Sequence, residues 1–210
     1  MYYVLVINAA VSLIMGCALV LVWRRDRAQS FTLYIGWANL VQLLVPLAYL
    51  LRSQGQGVYA AAGGIALAVV AAVYSTLLLT GTSHLANRQI PRARLWLVLV
   101  LLAIVNATAI ALGGLRTGQT CMALVNTGLG LVCTYWLLSA SAARSTSEKL
   151  VGPLLVSLGL IQFIFVVYGD AGATLLATLG AILRLTLGLV LLYAALDRGA
   201  AAALKLKKRF

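Results

Sequence analysis

The chain has 210 residues, of which 63% are hydrophobic, with a mean hydropathy of +1.02 and a net charge of +12. That composition excludes a soluble globular domain. It also makes the positive charge a topology signal at an anionic membrane surface rather than the footprint of a nucleic-acid partner. A span needs about 20 apolar residues to cross a hydrocarbon core of roughly 30 Å, and seven such spans with short loops account for nearly the whole sequence. The fold class expected is an all-α membrane protein, a seven-transmembrane-helix bundle.

In chain order, the first span covers residues 2–23. It lacks a basic n-region and is too long for a signal-peptide core, so it is expected to be retained as a helix. The second covers 31–51. The third covers 58–81, and its Ala60, Gly64 and Ala68 repeat the small-xxx-small spacing that lets helices approach closely in lipid. The fourth, 95–114, follows a basic loop containing Pro91, and the fifth covers 121–141. The sixth, 150–168, has Pro153 in its first turn, where proline is tolerated. The seventh, 171–196, carries a second small-residue seam at Ala173, Ala177 and Ala181. Trp23, Tyr49, Tyr59, Trp96, Trp136, Tyr168 and Tyr193 lie mostly near span ends, as an aromatic belt requires. No central Pro-Gly break interrupts the third or seventh span, which weighs against a transporter that unwinds helices at the midplane.

Thirteen of the 16 Lys and Arg residues fall in the loops on one side of these spans. They are Arg24, Arg25 and Arg27; Arg88, Arg92 and Arg94; Arg144 and Lys149; and Arg198, Lys205, Lys207, Lys208 and Arg209. The opposite loops hold only Arg52 and Arg116. Cytoplasmic loops retain Lys and Arg, so the N-terminus is expected outside and the C-terminus in the cytoplasm of a bacterial inner membrane. Residues 197–210 form a basic exit that favours helix despite Gly199, which costs about 1 kcal/mol relative to alanine. Leu196, Ala200, Ala203, Lys207 and Phe210 alternate at four- and three-residue spacing. Two readings stand: the first heptads of a coiled coil leaving the membrane, or a basic tail on its surface. The ending on an unfinished helix raises the expectation of a further C-terminal segment.

The sixteenth cation, Arg184, lies about thirteen residues into the seventh span, near the bilayer midplane. An ionisable residue at that depth is costly and marks a functional position by default. The acids Asp26, Glu148, Asp170 and Asp197 all lie near span ends, so Arg184 has no obvious carboxylate partner. Asn39, Gln42, Asn106, Asn126 and Gln162 sit at mid-depth or in the outer half, and buried amides in lipid must be paired. Convergence of these residues with Arg184 predicts a polar pocket in the outer half for a small anionic or amphipathic ligand, its carboxylate or phosphate held by the guanidinium. The alternative is interhelical hydrogen-bond glue, each pair contributing about 0.6 kcal/mol.

His84 is the only histidine and is placed in the loop after the third span, where a bland role is favoured. Cys17, Cys121 and Cys133 lie in apolar spans at no metal-ligand spacing and behave as small hydrophobes. No metal or other cofactor is expected, and no nucleophile elbow, zinc-protease motif, phosphate-binding loop or intramembrane carboxylate pair points to an enzyme. A retinal Schiff base needs a lysine within the bundle, and the lysines stand at its edge or beyond.

Three stretches carry a family resemblance: Val22-Trp23-Arg24-Arg25-Asp26-Arg27 at the end of the first span, Gly36-Trp37-Ala38-Asn39 in the second, and Tyr193-Ala194-Ala195-Leu196-Asp197-Arg198 leading to Arg209-Phe210. With them the chain resembles the seven-transmembrane input (sensor) domains that precede PAS, GGDEF and EAL modules in bacterial cyclic-di-GMP signalling proteins, and those of some histidine kinases. The resemblance implies a receptor that passes a signal through Leu196, Ala203 and Phe210 to a cytoplasmic output module, in a homodimer. The chain itself carries no GGDEF, EAL, MHYT-type or phospho-acceptor histidine motif. The competing readings are a transporter or lipid-handling protein using the same cavity, and a passive dimerising anchor.

Overall fold

A computed structural model of the chain describes residues 2–53, 57–139, 145–168 and 173–207, and every element within them is helical. They are α1 (Tyr2–Arg25), α2 (Ser30–Val41), α3 (Leu44–Ser53), α4 (Val58–Leu85), α5 (Arg92–Leu138), α6 (Thr146–Tyr168) and α7 (Ala173–Lys207). With α2 and α3 taken as one stretch, Ser30–Ser53, six helices are long and apolar enough to cross a membrane. This is the architecture of a multi-pass membrane protein, in which helices satisfy their own backbone groups where water is absent. Leu13, Leu97, Leu131, Leu160 and Leu189 face outward and are exposed, as a lipid-facing surface requires.

The expected second span is divided by one residue's chemistry. Pro46 has no N–H to offer the carbonyl of Gln42, four residues earlier. That carbonyl accepts instead from Val45 at 3.1 Å, and the Gln42 and Leu43 N–H groups donate three residues back, to Asn39 and Leu40. The chain bends there, between α2 and α3. The third span extends past 81: α4 ends in a Schellman cap in which Asn87 adopts φ +53°, Arg88 N–H reaches the Ser83 carbonyl at 2.8 Å and Asn87 N–H the His84 carbonyl at 3.1 Å. His84 is therefore in the last turn of α4, not in a loop.

The expected fourth and fifth spans, 95–114 and 121–141, run into one another in α5, where residues 115–120 are helical rather than a loop. The break is a single residue, Gly114, at φ +75° and ψ −171°, a region open only to glycine. Beyond it, Ser75–Asn126 and Thr82–Cys133 pair at the same offset of 51 residues, so this half of α5 runs parallel to α4. Gly130 lies against Val156, Gly152 against Thr134 and Gly159 against Thr127, so the same half runs antiparallel to α6.

The helices form a closed ring. Gly16 of α1 meets Gly36 and Leu40 of α2, Ile35 of α2 meets Gly81 of α4, and Met15 of α1 meets Gly188 of α7. The main core, with Leu19, Phe31, Ile35, Leu85, Leu137, Val151 and Leu191, fills one end of that ring. Arg198 ties the same end together. Its Nε donates to Glu148 at 2.5 Å, its Nη2 donates to the Leu85 carbonyl at 2.5 Å, and it lies over the Phe31 ring. Gln29 adds a bond to the Ala195 carbonyl at 2.9 Å. The basic clusters near residues 24–27, 88–94, 149 and 198 thus share one end, and Arg52, against Gly63 and Gly64, stands at the other.

Candidate functional site

At mid-depth the ring holds a partly open cavity in two lobes, about 200 Å³ and about 190 Å³, with largely apolar walls into which several polar side chains are set; the lobes share Asn8, Gln42, Gln162, Phe165 and Arg184. Each helix brings its polar residue for a local reason. Gln42 stands at the Pro46-induced bend. Gln162 and Arg184 project inward from α6 and α7. The first lobe adds Ser12, Tyr49 and Gln119; the second adds Tyr74 and Asn126. A third recess of about 10 Å³, room for roughly one water, lies between Arg184, Tyr74, Asn39 and Met15.

The hydrogen bonds in this cavity have a direction. Ser75 Oγ donates to Asn126 Oδ1 at 3.1 Å, and Asn126 Nδ2 donates to Gln162 Oε1 at 2.9 Å. That leaves the Gln162 Nε2 group as the open end of the chain, and it is a donor. Gln119 Nε2 donates to the Tyr49 hydroxyl oxygen at 2.5 Å, so the Tyr49 O–H is likewise left to donate. Arg184 makes neither a hydrogen bond nor an ion pair among the described residues, yet lines all three spaces. The open capacity of the cavity includes three donors, the Arg184 guanidinium, the Gln162 Nε2 and the Tyr49 O–H, beside the Gln42 amide and the Ser12 hydroxyl, which can donate or accept. Such a site suits a ligand that brings acceptors and negative charge.

The structure brings five of the six residues expected from the sequence to this one place. Arg184, Gln42 and Gln162 line both lobes, Asn126 lines the second, and Asn39 lines the small recess. Asn39 turns its amide to its own helix, donating to the Ile35 carbonyl at 2.9 Å. Asn106 does not join them. It is buried in the half of α5 before Gly114, lines none of these spaces, and its Oδ1 has no hydrogen-bond partner. Asn8, Ser12, Tyr74 and Gln119 join the cavity beyond the expected set, and so does Tyr49, which its position along the span assigns to the aromatic belt. Asn8 lies at the same depth in the first span as the expected amides do in theirs, whereas Tyr49, set among belt aromatics, turns inward to Gln119.

Among the expected relay residues, Leu196 and Ala203 are exposed on the continuous helix α7, and Phe210 lies outside the described residues. So do Asp170, Arg144, Lys208 and Arg209. The cysteines are free, and Cys133 is buried with its Sγ 2.9 Å from the Thr82 hydroxyl. No group of three His, Cys, Asp or Glu side chains is placed to hold a metal among the described residues. No protein-family model, curated protein or solved structure matches the chain.

Proposed function

We propose that the chain is a membrane-embedded signal-input domain that binds a small anionic or amphipathic ligand in the Arg184 cavity. It relays occupancy along α7 to a cytoplasmic output module of the cyclic-di-GMP turnover or kinase type, within a homodimer. The observation that carries the reading is an arginine without an ion-pair or hydrogen-bond partner among the described residues, in a cavity lined by no acidic side chain. A ligand carboxylate or phosphate supplies the missing countercharge. In this reading α5 crosses the bilayer twice, turning at Gly114. Its 47 residues would reach about 70 Å if straight, more than twice the hydrocarbon thickness. That gives seven crossings, with the N-terminus outside and the basic end of the ring in the cytoplasm of an inner membrane.

The relay rests on α7. It lines the cavity at Arg184 and continues as one helix to Lys207, so a ligand that binds two packings of α7 unequally shifts the population between them. Native mass spectrometry of the purified protein, with extraction of what co-purifies, tests the pocket. A defined anionic or acyl species near one per protomer, lost in Arg184→Ala with membrane insertion intact, is the expected result. Unchanged binding in that variant sinks the reading, and flux of the same species into liposomes assigns the cavity to a carrier instead.

A further inference from the structure

A second recess, of about 250 Å³, lies at the basic end of the ring, well away from Arg184. It sits where the start of α2, the end of α4 and the exit of α7 meet. Its walls are Ser30, His84, Asn87, Arg88, Gln89 and Arg198, over a floor formed by Phe31. We propose that this recess is a binding site for a phosphate group, separate from the mid-depth cavity and independent of its role.

Four observations support the site. First, Arg198 is already fixed: Glu148, the Leu85 carbonyl and the Phe31 ring hold it from three sides, so little side-chain freedom is lost when it meets a ligand. Second, Arg88 is exposed, makes no ion pair among the described residues, and is held only by the face of Trp136, 5.7 Å from its guanidinium. Third, Glu148 neutralises Arg198, so the free positive charge of the recess is that of Arg88, and no acidic side chain lines the recess. Glu148 is buried against Arg198, and Asp26 accepts from Gln29 Nε2 and the Ala28 N–H. Fourth, α2 begins at this recess with no side-chain cap on its first turn, so its N–H groups add partial positive charge. The α4 end that shares the recess does not offset this. Its last carbonyls are taken by the Schellman cap and by Arg198.

The donor set selects phosphate over a planar carboxylate. Two guanidiniums, two amides and the Ser30 hydroxyl, itself positioned by His84 Nδ1 at 3.2 Å, surround the recess from three helices. A tetrahedral group with three acceptor oxygens and up to two charges uses donors from several sides, and arginine's planar fork matches it. The phosphate could belong to an anionic lipid headgroup of the facing leaflet or to a soluble phosphorylated molecule.

The full chain in phosphatidylcholine nanodiscs, titrated with inorganic phosphate against chloride at equal ionic strength, gives one arm. Discs containing phosphatidate give the other. The readouts are the thermal unfolding midpoint and the lipid adducts seen by native mass spectrometry. A rise in midpoint with inorganic phosphate assigns a soluble source, and a rise only with phosphatidate assigns the headgroup. In either arm Arg88→Gln should weaken the effect by about tenfold, as loss of one charge-assisted contact predicts, whereas Arg116→Gln, an exposed arginine outside every recess described, should leave it unchanged. No shift in either arm, an Arg88→Gln variant that responds like the parent, or a response abolished by Arg116→Gln overturns the proposal.

Discussion

Two arginines with similar burial illustrate how context decides role. Arg198 has a carboxylate, a helix-end carbonyl and an aromatic face, and it acts as a structural tie. Removing it would strand the buried Glu148, a loss that typically costs about 3–5 kcal/mol. Arg184 has none of these, and faces space. Asn106 makes a third case: its buried Oδ1 lacks a partner, so the residue carries a desolvation cost with nothing in return. Asn106→Leu, which keeps the branched outline without the polar atoms, is expected to leave ligand co-purification unchanged and to raise the unfolding midpoint, by an amount corresponding to about 1–3 kcal/mol less what the bulkier methyls cost in packing. A fall in midpoint with loss of ligand would restore Asn106 to the site. Depth along a span was enough to pick out Arg184, Gln42, Asn126 and Gln162, because polar groups in lipid must meet. Depth says nothing of azimuth, and azimuth is what separates Asn106, which faces away from the cavity lobes, from Asn8 and Tyr49, which line them.

At the scale of elements, the tightest joint is α5 on α6. A Cβ added at Gly130 would lie 2.7 Å from the Val156 nitrogen, and one at Gly152 would lie 2.5 Å from the Thr134 Cα. Backbone cannot swing away as a flexible side-chain tip can. Gly130→Ala is therefore expected to destabilise by about 1–3 kcal/mol through overpacking. Gly128→Ala, two residues away with nothing within 4 Å, should be neutral or gain up to about 1 kcal/mol from helix propensity. Thermal unfolding of the pair in one detergent decides this, and equal midpoints would remove the argument. The sequence drew attention to other seams, at Ala60, Gly64 and Ala68 and at Ala173, Ala177 and Ala181. Gly64, Ala68 and Ala181 are indeed buried, but the closest approach uses Thr127, Gly130, Thr134, Gly152 and Gly159, whose spacing is spread across two helices. Element ends were misplaced where one residue overrides a long apolar run: Pro46 dividing the second span, Gly114 replacing a loop with a turn, and Asn87 capping α4 beyond His84.

For the whole molecule, helix class and the gathering of basic residues at one end were legible from hydropathy and charge alone, since both are set by the solvent and not by packing. Ring order was not, because it depends on which small residues face one another. The seven-crossing reading makes a direct prediction: tags at the two termini are accessible from opposite sides of the membrane. Protease protection of tagged chains in inverted and right-side-out vesicles checks it, and two tags cleaved from the same side would leave α5 without its turn across the bilayer.

The closure of the ring at Met15 and Gly188 has a mechanical corollary. A ring of rods yields first at its softest joint. The α5–α6 joint is backbone on backbone and cannot give. The α1–α7 joint is an unbranched thioether lying on a glycine, and a thioether side chain can rotate among several rotamers with little penalty. The helix that carries Arg184 therefore meets α1 through a flexible side chain, while Arg198 ties it to α4 and α6 at the basic end of the ring.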